Sequence, residues 1–172
     1  IKVYNKSRAA RREFVKLANE HCDVVTPTKR SADLKAFFFM EKPEYTAKLE
    51  ELNKELAAHP VCDWKGTKVV TSGIIVDNPK LLEIFENNNI AIAADDVAHE
   101  SRSFRTDVPE DEQDALRALA KQFANMDYDI LLYDPQSSKN RRGEFVADMV
   151  KKSGAQGLVL IMQQFSDRYE ME

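Results

Sequence analysis

Glycine is scarce in this chain, with five among 172 residues, alongside six prolines, two cysteines and one tryptophan. That scarcity excludes glycine-rich phosphate cradles. The turn after the first expected strand, Ser72-Gly73-Ile74-Ile75-Val76-Asp77, holds one glycine where the dinucleotide fingerprint needs three, and no Gly-Lys-Ser or Gly-Lys-Thr occurs. Cys22 and Cys62 lie far apart and form no CxxC, so free thiols are expected ahead of a disulfide or a metal role. No stretch approaches the roughly 18 apolar residues of a membrane span, the longest run at 157–162 being strand-sized. A basic-then-apolar leader is missing as well, and a cytoplasmic location is expected. Neither sign of charge dominates: 25 Lys and Arg against 29 Asp and Glu give a net charge of −4. The basic stripe that follows a phosphate backbone is absent, so neither nucleic acid nor membrane is an expected partner.

What is present is a globular composition, 43% hydrophobic and 31% charged. A chain of this length buries roughly 70% of its unfolded surface, enough for a core without staples. It begins at Ile1 rather than Met, as expected of a fragment or trimmed chain.

The first third reads as helix. Ala10, Phe14, Leu17 and Ala18 recur at helical spacing from Ser7 onward, while Arg8, Arg11, Arg12 and Lys16 read as a solvated opposite face. Thr26-Pro27-Thr28 reads as a break, followed by a helix over 31–40 and another over 43–58 with Pro43 near its start. From Lys65 the rhythm changes to alternating strands and helices, the mark of parallel βα units. Strands are expected over 68–74, 90–94 and 157–163, with a short strand-like segment over 129–133. The helices between them begin at Asn78-Pro79, at Pro109 and near Lys139. The last of these stops at Ser153-Gly154, and the third strand, near-continuously apolar, reads as covered on both faces. The expected fold is α/β, a Rossmann-like doubly wound parallel sheet, incomplete, over 61–172, preceded by a helical segment over 1–60.

In open parallel sheets ligands bind beyond the carboxyl ends of the strands. Those ends supply Ser72 and Gly73, then Asp95 and Asp96, then Gln163, Gln164 and Ser166; with Arg102 they form the candidate cleft. Asp95-Asp96 can bind Mg²⁺ or accept from a ribose, but a paired acidic strand end is more often solvated. His99 in its polar loop reads as a bystander, and no Ser/His/Asp or Cys/His order stands out. The cluster of Arg8, Arg11 and Arg12 can pair with phosphates.

Five pieces in order carry a resemblance: Tyr4-Asn5 with Arg8; VVTSGIIVDNPKLLEIFE at 69–86; IAADDVAHESRSF at 92–104; NRRGEF at 140–145; and GAQGLVLIMQQFSD at 154–167. Together they resemble the 2-hydroxyacyl-CoA dehydratase family, which also contains benzoyl-CoA reductase subunits. The Gln-Gln-Phe form of the last piece is most similar to the beta-type subunit of 2-hydroxyglutaryl-CoA and 2-hydroxyisocaproyl-CoA dehydratases.

The resemblance implies a heterodimer with a second dehydratase subunit, a 4Fe-4S cluster held by cysteines, and an ATP-hydrolysing iron-sulfur activator protein that injects one electron. The (R)-2-hydroxyacyl-CoA then loses water through a ketyl radical anion to give a 2-enoyl-CoA. The C3 hydrogen is not acidic, so ordinary elimination faces a large barrier, and the cofactor carries the hard step. One departure stands out. The family reads Phe-Cys-Asp after this strand, with the cysteine a cluster ligand, and this chain reads Phe165-Ser166-Asp167. A hydroxyl is a weaker acid than a thiol and a harder, poorer partner for iron-sulfur centres. The resemblance therefore assigns the cluster position to Ser166 but expects no cluster on this chain, which alone is expected to be inactive. The alternative is a non-catalytic docking or assembly module that kept the scaffold and lost the ligand.

Overall fold

The computed structural model describes residues 1–126 and 142–162. Three helices come first: α1 (Lys2–Glu20), α2 (Pro27–Ala36) and α3 (Lys42–Ala58). Their apolar stripes meet in one core, where Phe14, Leu17, Leu34, Phe37, Tyr45, Leu49 and Leu56 are buried. The expected break at Thr26-Pro27-Thr28 is instead the start of α2. The Thr26 hydroxyl accepts from the Lys29 amide at 3.4 Å, and Pro27 fills the first helical position, where no amide hydrogen is needed.

The α/β part runs β1 (Thr67–Gly73), α4 (Pro79–Asn87), β2 (Ile90–Val97), α5 (Ser101–Phe104), α6 (Ala115–Ala124), α7 (Arg142–Ser153) and β3 (Gly157–Ile161). Asn78 caps α4 by accepting from the Lys80 amide at 3.0 Å, as its local sequence predicts. α6 begins at Ala115, later than expected, because the Asp114 carboxylate takes the amides of Leu116 and Arg117. The acidic residues before it serve other partners: Glu110 accepts from Asn5, and Glu112 pairs with Lys121 at 2.6 Å. The expected strand over 129–133 lies outside the described residues.

The three described strands form one parallel sheet in the order β2-β1-β3. The chain crosses from β1 to β2 through α4 and later returns to the far side of β1. This reversal of winding puts a topological switch point between β1 and β3. The sheet is thus α/β and Rossmann-like, with helices flanking it. Val69, Val76, Leu82, Phe85, Ile92 and Val97 form its second core, against which Val159 and Ile161 of β3 pack. Leu158 and Leu160 alternate with them and are 41% and 59% exposed, so among the described residues β3 is covered on one face rather than two.

β2 runs three residues past its expected end, through Asp95, Asp96 and Val97. A bulge makes that extension possible. Val69 pairs with Ile92 but Val70 pairs with Ala94, so Ala93 is an extra residue and the alternation reverses behind it. Residues opposite one another in a ladder share a sheet face. Ile92 and Asp95, three apart, therefore lie on the same face, and Asp96 turns to the other. α1 packs against β2, an edge strand among the described residues.

Candidate functional site

The carboxyl ends of the strands are level, since Gly73 pairs with both Val97 and Ile161. At Gly73 the absence of a side chain is required by β3: a Cβ there would meet the Ile161 carbonyl oxygen at 2.7 Å. On one side of this end, Arg102 donates through Nη2 to the Gly73 carbonyl at 2.7 Å, with its Nε 3.9 Å from Asp96 Oδ1. Arg105 donates to the same Asp96 oxygen at 2.5 Å, and the Ser72 hydroxyl lies 3.5 Å from Asp96 Oδ2. The geometry thus brings together four of the sequence candidates, Ser72, Gly73, Asp96 and Arg102. Among the described residues, the guanidinium groups of Arg102 and Arg105 both face the Asp96 carboxylate.

Asp95 belongs to a different network. The bulge turns it toward α2, where Arg30 binds Asp95 with one nitrogen and Glu100 with the other. Asp95 Oδ1 also accepts from the amides of Val97 at 3.2 Å and Ser101 at 2.9 Å. All three charged side chains are about 2% exposed or less. Burial pushes the Glu100 carboxyl up and the neighbouring Asp95 charge adds to it, against the opposing pull of Arg30. Burial also pulls on Arg30, but its two carboxylates more than offset this and hold the guanidinium protonated. The solvated acidic strand end expected from sequence is therefore corrected: Asp95 and Asp96 are both buried and paired. Their partners lie 65 and 9 residues away in sequence. His99 lies with its Nδ1 3.2 Å from the Ile74 carbonyl oxygen and its Nε2 3.7 Å from Glu100, held beside the same network.

The arginine face of α1 is corrected too. Arg11 is buried, with its guanidinium 3.8 Å from the centre of the Phe37 ring and 4.8 Å from that of Phe104. No ion pair reaches it among the described residues, and burial lowers its pKa to about 10. Arg12 pairs with Asp107 at 2.7 Å and donates to the Phe104 carbonyl, also at 2.7 Å. Sequence reasoning missed the burial of Arg11 and Arg30, though a signal for each was present. Arg11 is four residues after Ser7 and three before Phe14, inside the buried stripe; Arg30 is four before Leu34.

The family model described as 2-hydroxyglutaryl-CoA dehydratase, D-component, matches residues 1–172. The chain belongs to this family. Its relatives within the dehydratases include the (R)-2-hydroxyglutaryl-CoA dehydratase beta subunit of Acidaminococcus fermentans, 58% identical over 172 residues. The (R)-phenyllactyl-CoA dehydratase beta subunit of Clostridium sporogenes is 40% identical, and the lactoyl-CoA dehydratase beta subunit of Anaerotignum propionicum is 39% identical, each over the same 172 residues. Each match covers all of this chain and 45% of the relative's length, so the chain spans about half of each dehydratase subunit.

A cluster of the kind the dehydratase resemblance implies finds no fit among the described residues. No group of three or more His, Cys, Asp or Glu side chains there could hold a metal ion. Cys22 follows the end of α1, and Cys62, in the segment leading into the amino end of β1, donates its amide to Glu20 at 3.0 Å. Both sit at the opposite end of the sheet from Gly73. Burial pushes the Cys22 thiol up, away from the thiolate a metal requires. Gln163, Gln164 and Ser166 follow β3 in sequence and lie outside the described residues.

Proposed function

We propose that this chain is the scaffold-bearing part of a beta-type subunit of a 2-hydroxyacyl-CoA dehydratase. That enzyme is a hydro-lyase that takes water from C2 and C3 of an (R)-2-hydroxyacyl-CoA. The observation that carries the reading is the match along the whole chain to beta subunits that share this activity class while their named acyl groups differ. In this reading the rim of Ser72, Gly73, Asp96 and Arg102 at the β1–β3 switch forms one wall of the thioester pocket. Arg102, anchored on the Gly73 carbonyl and beside Asp96, is a preoriented cation of the type that stabilises charge developing on an acyl oxygen. Asp95 positions the wall through Arg30 instead of lining it.

The iron-sulfur cluster, the ketyl radical route, the second subunit and the ATP-hydrolysing activator belong to this proposal as the resemblance implies them. Cluster ligands would have to come from beyond the described residues, and Ser166 marks the place of one. Ser166 also favours the second reading, an assembly module without the cluster.

One experiment separates the two. The 172 residues replace the matching segment of the Acidaminococcus fermentans beta subunit, and the hybrid is assembled anaerobically with its alpha subunit and activator. With Ser166→Cys also introduced, elimination of water from (R)-2-hydroxyglutaryl-CoA is expected. A hybrid that assembles but stays inactive even with that substitution overturns the dehydratase reading.

A further inference from the structure

A groove of about 640 Å³ runs between α1 and α7 over β2 and meets the rim at Arg105. Its volume lies within the usual range for a small-molecule site. Two alanines, Ala93 at the bulge and Ala94 after it, floor the groove, and their small side chains give it depth. Half-buried Val15, Phe145 and Met149 wall it from the two helices. The groove is therefore largely apolar, and Lys16, Asp148 and Lys152 are its well-exposed charged members.

Those charges are not equivalent. Arg12 is committed to Asp107, and Arg105 to Asp96 with its guanidinium over the Phe145 ring at 4.6 Å. Lys16 on α1 and Lys152 on α7 have only weak partners along their own helices, Glu13 at 3.5 Å and Asp148 at 3.9 Å. Both lysines are well exposed, and such pairs give way easily to a competing anion. Two ammonium groups on facing walls suit a phosphate, which lysine binds as a point charge, better than a carboxylate, for which the arginine fork is the usual partner.

We propose that the α1–α7 groove binds a nucleotide, its base between the apolar walls and its phosphate between Lys16 and Lys152. The chemistry has two sources: a free nucleotide such as AMP, or the nucleotide end of the CoA thioester. Only the second source rests on the dehydratase reading.

Calorimetric titration of the 172-residue chain with AMP, CoA and inorganic phosphate tests this. AMP or CoA is expected to bind with a dissociation constant below about 1 mM. The Lys16→Ala/Lys152→Ala pair is expected to weaken that binding about tenfold, the binding falling also with added salt. Both lysines are solvent-exposed, and an unchanged circular dichroism spectrum verifies that the pair folds. A perturbed methyl signal from Met149 locates the ligand in the groove. Binding of AMP without CoA keeps the nucleotide site and detaches it from the thioester reading; binding of CoA without AMP assigns the groove to the thioester. Failure of both to bind overturns the proposal. So does inorganic phosphate binding as tightly as either, or binding indifferent to the lysines.

Discussion

Replacing Arg30 with Met is the sharpest perturbation of the frame beneath the rim. The guanidinium is 2% exposed and serves two carboxylates at once. Without it Asp95 keeps the Val97 and Ser101 amides on Oδ1. Among the described residues Glu100 keeps only His99, at 3.7 Å. Removing one partner of a buried ion pair costs about 3–5 kcal/mol, and Glu100 carries most of that loss. The variant can recover part of it by binding a proton. Glu100 is already pushed up by burial in the parent, so the folded state holds the proton more tightly than the unfolded chain does. That contribution is fully present below the ordinary glutamate range and is lost as pH rises through the folded value. Removing Arg30 takes away the opposing pull and drives Glu100 further up. The stability deficit of Arg30→Met should therefore shrink by about 1–3 kcal/mol between pH 7 and pH 5, at about 1.4 kcal/mol per unit of differential protonation. Urea denaturation of parent and variant at the two pH values measures it. Adding Glu100→Gln to the variant should recover stability at pH 7. A deficit under about 1 kcal/mol at pH 7 that is indifferent to pH would refute the reasoning, since buried, unpaired carboxylates could not behave so.

Three further outcomes follow from the same structure. Arg11→Met should leave stability within about 1 kcal/mol of the parent in the same assay, because a buried cation held by two rings and, among the described residues, no carboxylate gives up its desolvation cost when removed; a loss as large as that of Arg30→Met would show an anionic partner. Gly73→Ala should cost about 1–3 kcal/mol, with faster amide hydrogen exchange in β3, because the added Cβ would lie 2.7 Å from the Ile161 carbonyl oxygen; unchanged protection of β3 would contradict the close approach. Asp114→Ala should cost about 0.5–2 kcal/mol and fray the first turn of α6, visible as loss of protection at Leu116 and Arg117.

Local chemistry was legible in the sequence. Asn78-Pro79 announces a helix start because cap and first turn lie within three residues, and the change from helical to strand rhythm at Lys65 marks the α/β part. Thr26-Pro27 carries the same chemistry but reads as a break, since the apolar stripe of α2 is short and interrupted by Arg30. The end of β2 was not legible. Two consecutive aspartates look like a solvated stop until Arg30 and Arg105 arrive to neutralise them, and those contacts are made by the fold. The bulge at Ala93 leaves no local mark either, yet it decides that Asp96 joins the rim while Asp95 joins α2. The family resemblance rested on ordered pieces instead of a geometric argument, and the match along the whole chain agrees with it.

The most direct test of the central claim is the iron content of the hybrid beta subunit after anaerobic reconstitution with iron and sulfide, with residue 166 as Ser or after Ser166→Cys. A stoichiometric cluster is expected only after the substitution, because a hydroxyl is too weak an acid and too hard a donor to replace the thiolate. A full cluster in the serine form, or none in either, would contradict it.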